Sequence, residues 1–346
     1  MDKIVKQVVG IDVAQKELVV CFGRLSEDFT VEMHAYKAFR NTSKGFGELT
    51  RWVHKLTNPE VSLRFVMEAT GVYHEPLAYF LEAAGYAISI VLPNKISNYF
   101  KTLEVKTVTD KTMAETITHF GLERKLESWQ RPKAIFKKLR QLTRERDQLV
   151  QERTMVKNQL HAEGAEAEPN ASSVARIKKR IALLDKQEKE ILEEISKLVK
   201  QDEQIKQTAE IICSLPGVGL LTAATVLAET NGFELIRNKR QLSSYAGLDV
   251  KEKQSGTSIK GKPRISKKGN TYLRKAMHLP ALTAIRHDEG FKAIFIRLVS
   301  KHGIKMKAVV AIQRRLLEMI YILYKNKAVY DKEYYKKANL LQEMIA

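Results

Sequence analysis

Three acidic residues stand where carboxylates can do chemistry. Asp12 closes the apolar run VVGID, Glu68 closes the apolar run LRFVME, and Asp110 opens the helix-like segment TDKTMAETITHF. A carboxylate at the end of a buried strand faces a crevice and can hold a hard cation such as Mg2+ through oxygen. Two such ions about 3.5–4 Å apart activate a nucleophile and stabilise a leaving oxygen in phosphoryl transfer. The competing reading makes each acid a turn or cap residue with no chemistry.

A second concentration of chemistry is cationic. Between Asp249 and Leu279 lie Lys251, Lys253, Lys260, Lys262, Arg264, Lys267, Lys268, Arg274 and Lys275, opposed only by Asp249 and Glu252. Gly256, Gly261 and Gly269 make the stretch loop-like, and Ser255, Thr257, Ser258 and Ser266 place hydroxyls among the cations. A serine attacks phosphorus only when a base or metal activates it and positive charge stabilises the developing phosphorane. Without that activation, such a serine is a phosphate contact. Just upstream, LPGVG precedes the apolar helix LLTAATVLAE, a helix-hairpin-helix signature. Gly217 and Gly219 would let the backbone turn and bring N–H groups towards a phosphate, which positions DNA without reading its sequence. A plain packing corner is the alternative. The eight histidines form no metal-ligand spacing; His74 reads as a surface residue, and Tyr73, Tyr99 and Phe100 as packing residues.

The elements that must carry these residues fall into three segments. Residues 1 to about 125 read as α/β, with strands in VKQVVGID and ELVVCFG and a third apolar stretch near Val31–Ala35. A helix over SKGFGELTRWVHKL follows, marked at its start by Asn41, Thr42 and Ser43; then come LRFVME as strand, YHEPLAYFLEAAG as helix and AISIVLP as strand. Two more helices read from NKISNYFKTLEV and TDKTMAETITHFGLER. A meander followed by alternating helices and strands predicts a mixed sheet covered by helices.

From about 133 to 212 the chain is charged helix with a strict seam. Ile177, Ile181, Leu184, Ile191, Ile195, Leu198, Ile205, Ala209 and Ile212 form one three-four ladder, with Glu188 and Asp202 on its polar rungs. Upstream, Leu139, Leu142, Leu149, Val156 and Leu160 keep the spacing, and Arg146 and Arg153 fill the gaps. Gly164 and Pro169 break the helix between them. The pattern predicts a coiled-coil hairpin or dimerising arm, with one layer of an ordinary bundle as the alternative. The remainder reads as basic helices. The expected domains are 1–130, 131–212 and 213–346.

Composition sets the partner class. The 346 residues hold 59 Lys and Arg against 40 Asp and Glu, a formal charge of +19. That excess argues for a polyanionic partner, nucleic acid before membrane. Two cysteines, Cys21 and Cys213, exclude a disulfide framework and a Cys-based zinc site. No signal-peptide pattern opens the sequence and charges interrupt every long apolar run, so a soluble, cytoplasmic protein is expected.

The ordered set GIDVAQKEL, VMEATGVYHEPL, LPNKISNYF, VKTVTDKTMAE, LPGVG, YAGLDVKEKQSGTSIKG and RISKKGNTYLRKA resembles the IS-one-ten family of insertion-sequence transposases, also described as bridge-RNA-guided recombinases. The resemblance spans about residues 8 to 325. It implies an RNase H-like (RuvC-like) domain with a DEDD acidic set, a coiled-coil arm, and an all-α C-terminal transposase domain with the helix-hairpin-helix. It also implies assembly as a dimer or tetramer around DNA and a structured guide RNA, in a nucleoid-associated bacterial enzyme using Mg2+. On the matching positions, the first three acids are Asp12, Glu68 and Asp110, and the catalytic serine is Ser255 of QSGTS, with Ser258 as the fallback. Met113 stands where the fourth acid should follow Asp110 by three residues. Glu115 is the nearest acid, but five residues along a helix turns it from Asp110's face. The chain is thus expected to be a DNA recombinase that excises and inserts a mobile element. Its rivals are a structure-selective endonuclease using metal-activated water and a nucleic-acid-binding protein with a decayed acidic site.

Overall fold

A computed structural model of the chain describes residues 3–69, 71–234, 236–252, 254–255, 259–260 and 264–333. It divides into two units, Met1–Arg131 and Pro132–Ala346. The first contains β1 (Ile4–Val13), β2 (Glu17–Ser26), β3 (Val31–Arg40), α1 (Ser43–Leu56), β4 (Leu63–Glu68), α2 (Glu75–Ala83), β5 (Ala87–Val91), α3 (Pro93–Phe100) and α4 (Asp110–Glu123). Its sheet has the order β3-β2-β1-β4-β5. The meander β1-β2-β3 pairs antiparallel, while β4 joins β1 and β5 joins β4 in parallel. Each parallel join needs a crossover, supplied by α1 and then α2. This is the mixed, helix-covered sheet that the hydrophobic pattern predicts. The third strand extends beyond the apolar stretch, to Arg40, because an edge strand can leave alternate residues in water.

The sheet buries both faces. Val9, Ile11 and Val13 of β1 meet Phe46, Leu49 and Val53 of α1 and Leu77 and Leu81 of α2. On the opposite face Val8, Val66 and Val91 meet Ile96 of α3 and Ile117 and Leu122 of α4. Helix α4 lies unusually close to its strands. A Cβ on Gly10 would fall 2.2 Å from Thr118 Oγ1, and one on Gly121 would fall 2.7 Å from a Val8 methyl. The helix therefore runs antiparallel to β1, its start beside the strand's end and its finish beside Lys6. There the Lys6 ammonium donates to the carbonyls of Gly121, Leu122 and Arg124 at 2.6, 2.8 and 2.8 Å, neutralising the negative end of the helix.

The second unit holds α5 (Ala134–Gly164), α6 (Ala171–Gln201), α7 (Glu203–Cys213), α8 (Leu220–Glu229), α9 (Lys239–Tyr245), β6 (Val250–Lys251), β7 (Gln254–Ser255), β8 (Ile259–Lys260), β9 (Arg264–Ile265), α10 (Thr271–Ala276), α11 (His278–His287), α12 (Glu289–His302) and α13 (Lys305–Asn326). Helices α5 and α6 form an antiparallel hairpin around Val156, Ile177 and Leu184. Its polar rung meets the two gaps in the facing seam: Arg146 donates to Glu188 Oε1 at 2.8 Å, and Arg153 donates to Glu188 Oε2. Arg153 also reaches Asp185 at 2.7 Å. An ionic rung of this kind fixes the register of the pair, because any slip leaves a buried charge unpaired.

Three expectations need correction. The ladder from Ile177 to Ile212 is not one helix, since the Asp202 side chain accepts from Ile205 N and starts α7. An aspartate offering its oxygen to free N–H groups favours a new N-terminus over continuation. No division between units falls at residue 212: Leu139, Ile195, Ile205, Ile212, Leu227, Leu273 and Leu316 share one core. Nor is the C-terminal region wholly α, because β6 pairs with β9 and β7 with β8, both antiparallel. Among the described residues no helix is long and apolar enough to cross a membrane.

Candidate active site and nucleic-acid interface

The pleat decides which way the acids point. Gly10 faces α4, so Asp12, two residues on, faces the same side of the sheet. Val66 packs on that side too, which turns Glu68 the same way. Ile11 pairs with Met67 in the parallel register, so Asp12 and Glu68 are equivalent residues one step beyond, on neighbouring strands about 4.8 Å apart. Asp110 is the first residue of α4, and Ala114, one turn later, lies against Gly10. All three carboxylates therefore gather at one end of one face. Thr109 holds the helix start there: its hydroxyl accepts from Thr112 N, while the Thr112 hydroxyl accepts from Thr109 N.

Their electrostatics bear this out. Burial pushes the Asp12 carboxyl up to about 6, and repulsion from Asp110 and then Glu68 adds to it, against a backbone hydrogen bond from Val13. Repelling oxygen donors over one crevice fit a hard divalent cation, which would offset the repulsion that adds to the effect of burial. Among the described residues no three His, Cys, Asp or Glu side chains converge closely enough to hold an ion as they stand. The two facts agree, because repulsion acts across a crevice whereas ligation requires oxygens about 2.0–2.6 Å from one ion.

The positions around the three acids differ in kind. Met113 packs against the cluster of Val66, Val91 and Ile117, so the place of a fourth acid is apolar. Glu115 points elsewhere: it lies 3.9 Å from Lys111 and adds to the burial that raises the Cys21 thiol on β2, and it is absent from the groups that shift Asp12. His74 is half-buried rather than on the surface; burial lowers its pKa, and its Nδ1 has no partner among the described residues. Tyr99 is a packing residue, as expected, stacked edge-on to Phe120 with its hydroxyl 2.8 Å from His119 Nδ1. Tyr73 is exposed. Asn41, passed over in the sequence except as a helix-start signal, donates to the carbonyls of Ala14 and Tyr73 at 2.9 and 3.1 Å. It ties the turn after Asp12 to the segment after Glu68.

In the second unit the basic stretch is a double ribbon. Val250 pairs with Ile265 at its base, and Gln254 and Ser255 pair with Lys260 and Ile259 above. Ser255 ends β7, with only its backbone described, while Ser258, Lys262, Gly256 and Gly261 lie outside the described residues. For Lys260 only the backbone is described. Lys251, Arg264, Lys267 and Lys268 are exposed on the ribbon and its return. The two glycines of LPGVG behave differently. Gly217 has φ +81°, and a Cβ there would strike Pro280 O and Thr283, so it serves a tight turn against α11. Gly219 caps α8, and a Cβ there would meet nothing within 4 Å. An open cavity of about 600 Å3 beside it is lined by this turn with Thr283, His287 and Lys332.

Comparison with known proteins covers both units. A family model described as transposase, of the DEDD IS110 type, matches residues 9–163. A second, described as "Transposase IS116/IS110/IS902 family", matches residues 209–295. The pilin gene-inverting protein of Moraxella lacunata is 28% identical over 332 residues, covering 94% of this chain and 98% of that protein. The transposase for insertion sequence element IS1111A of Coxiella burnetii is 24% identical over 294 residues, covering 77% and 78%. Among solved structures, Thermus thermophilus RuvC matches with a TM-score of 0.27 and 11% identity, over 36% of this chain and 99% of that one.

Proposed function

Because the chain belongs to the IS110/IS116/IS902 family of transposases, we propose that it excises and inserts a mobile DNA element by serine attack on a DNA phosphate. Asp12, Glu68 and Asp110 would hold Mg2+, and Ser255 would supply the nucleophile. A bound divalent cation would contribute Lewis-acid stabilisation of charge developing on the phosphate. In the first step the Ser255 Oγ–P bond forms as the P–O bond to one deoxyribose breaks. The proton lost from Oγ balances the one gained by the leaving sugar oxygen. The phosphoserine conserves the ester bond, so a hydroxyl of a new strand can displace the serine without an external energy source. Exposed Lys251, Arg264, Lys267 and Lys268, together with the start of α8 behind Gly219, would track phosphates. A structured guide RNA and a dimer or tetramer complete the reading; the charge of +19 supports the polyanionic partners.

The observation that carries the proposal is the convergence of three carboxylates on one sheet face, with Asp12's ionisation opposed by the other two. A cleavage assay on DNA carrying the element's junction tests it. Ser255→Ala should abolish both cutting and the covalent protein–DNA adduct. If that variant nicks DNA at the wild-type rate, metal-activated water is the nucleophile and the serine reading fails.

A further inference from the structure

Glu229 closes α8 with its side chain only 1% exposed, where an unpaired carboxylate would be very costly. Groups from three other parts of the chain converge on it. Arg144 of α5 donates Nε to Oε1 at 2.7 Å and Nη2 to Oε2 at 2.8 Å. Asn270, which caps α10, donates Nδ2 to Oε2 at 2.6 Å. Tyr245, ending α9, donates its hydroxyl to the Glu229 backbone carbonyl at 3.1 Å. The Arg144 guanidinium also lies over the Tyr272 ring, 4.5 Å from its centre.

Asn270 is the point where the basic ribbon rejoins the helices. Its backbone N donates to Tyr245 O at 2.6 Å, and its Oδ1 accepts from Leu273 N at 3.0 Å. Nearer the ribbon, Lys267 N bonds Gly247 O at 3.1 Å, and the Ser266 hydroxyl donates to Asp249 Oδ1 at 2.5 Å. Among the described residues beyond that base stand strands of two residues, too short to hold a position by themselves. The ribbon's placement therefore depends on its base, and Glu229 is joined to that base through Asn270.

We propose that Glu229 is a positioning residue: by binding Arg144 of the helical hairpin and Asn270 of the ribbon base together, it fixes the Ser255 ribbon to α5. A bidentate Arg–carboxylate pair whose carboxylate is buried is directional, so a shift of α5 is passed to the ribbon. A functional consequence rests on the proposed role of Ser255, but the existence of the lock does not.

The test uses the full chain and hydrogen exchange. Asn270→Asp keeps the α10 cap, since Asp caps as well as Asn. It also sets a second carboxylate against Glu229 Oε2. Amides of residues 248–252 and 264–267 should then exchange about tenfold faster, while those of α8 stay within about twofold. Adding Glu229→Gln supplies an amide that donates to the new carboxylate and still accepts from Arg144. Ribbon exchange should return to within about threefold of the original chain. The lock is overturned if α8 and the ribbon speed up together in the single variant, or if the double variant restores nothing. If exchange follows the lock but DNA-adduct formation stays at its original level throughout, the lock stands and the Ser255 reading falls.

Discussion

Glu68 ends its strand and Asp12 stands one residue before the end of its own, each directly after a fully buried residue, whereas Lys251 and Arg264 stand exposed on strands of two residues. The acidic crevice is held by closely packed elements of the first unit: a two-faced sheet, a helix seated against Gly10, and the Thr109 cap. That packing keeps like charges together against their repulsion. The basic ribbon carries its charges in water, where repulsion is screened, and relies on a few hydrogen bonds at its base. A metal site must be preorganised, because its ligands act within tenths of an ångström. A phosphate-tracking surface acts through charge and tolerates movement.

The sharpest way to break this contrast is Asp12→Ala. Strand cleavage should fall by about a thousandfold, on the scale of losing a principal charge-stabilising group. Yet the first unit should become more stable at pH 7, by roughly 1–2 kcal/mol after allowing for solvent screening of a half-buried group. Single-turnover kinetics and melting curves would show the opposite signs, and a fall in both would mean Asp12 is a structural residue.

Met113→Asp sharpens the same side. It places a carboxylate one turn from Asp110 in an apolar setting, so the cation-free protein should lose about 1–3 kcal/mol. Divalent cation should bind about tenfold more tightly, read by calorimetry, if one more oxygen ligand completes the site.

The pH dependence has a defined sign. Asp12 titrates near 6 in the folded protein against 3.8 for an unperturbed carboxyl, so the native state binds the proton more tightly. Its contribution to stability is greatest below about pH 4, falls between about 4 and 6, and is a net penalty above. Melting temperatures measured with and without Mg2+ should differ most above pH 6, and a constant difference across this range would argue against Asp12 as a ligand.

The smallest effect belongs to the ribbon. Arg264→Ala or Lys268→Ala should weaken DNA binding a few-fold and uniformly across sequences, lowering the salt slope by about one for each phosphate left without its cation. Stability should stay within about 0.5 kcal/mol. Sequence-selective weakening in binding titrations would show that the ribbon reads bases.

Much of the acidic side is legible in the sequence, because period-two burial fixes both the strand ends and the face on which Asp12 and Glu68 lie. The pairing of Glu188 with Arg146 and Arg153 is legible too, as a polar rung opposite two gaps. The Asp202 break is not, since the apolar ladder continues through it and only the side chain's bond to Ile205 N ends the helix. The Glu229 cluster is hidden for another reason: Arg144 and Asn270 lie 85 and 41 residues away, and no local spacing announces such a meeting. The close seating of α4 depends on Gly10 and Gly121, which read in sequence as ordinary strand and helix glycines.

If carboxylate-held metal serves a serine nucleophile, trapping the covalent intermediate tests it most directly. Junction DNA would be incubated with the full chain and Mg2+, the adduct digested, and the DNA-linked peptide sequenced by mass spectrometry. The expected result is a phosphodiester on Ser255, formed by the original chain and absent from Asp12→Ala. Efficient cutting with no adduct, or an adduct on any other residue, would contradict it.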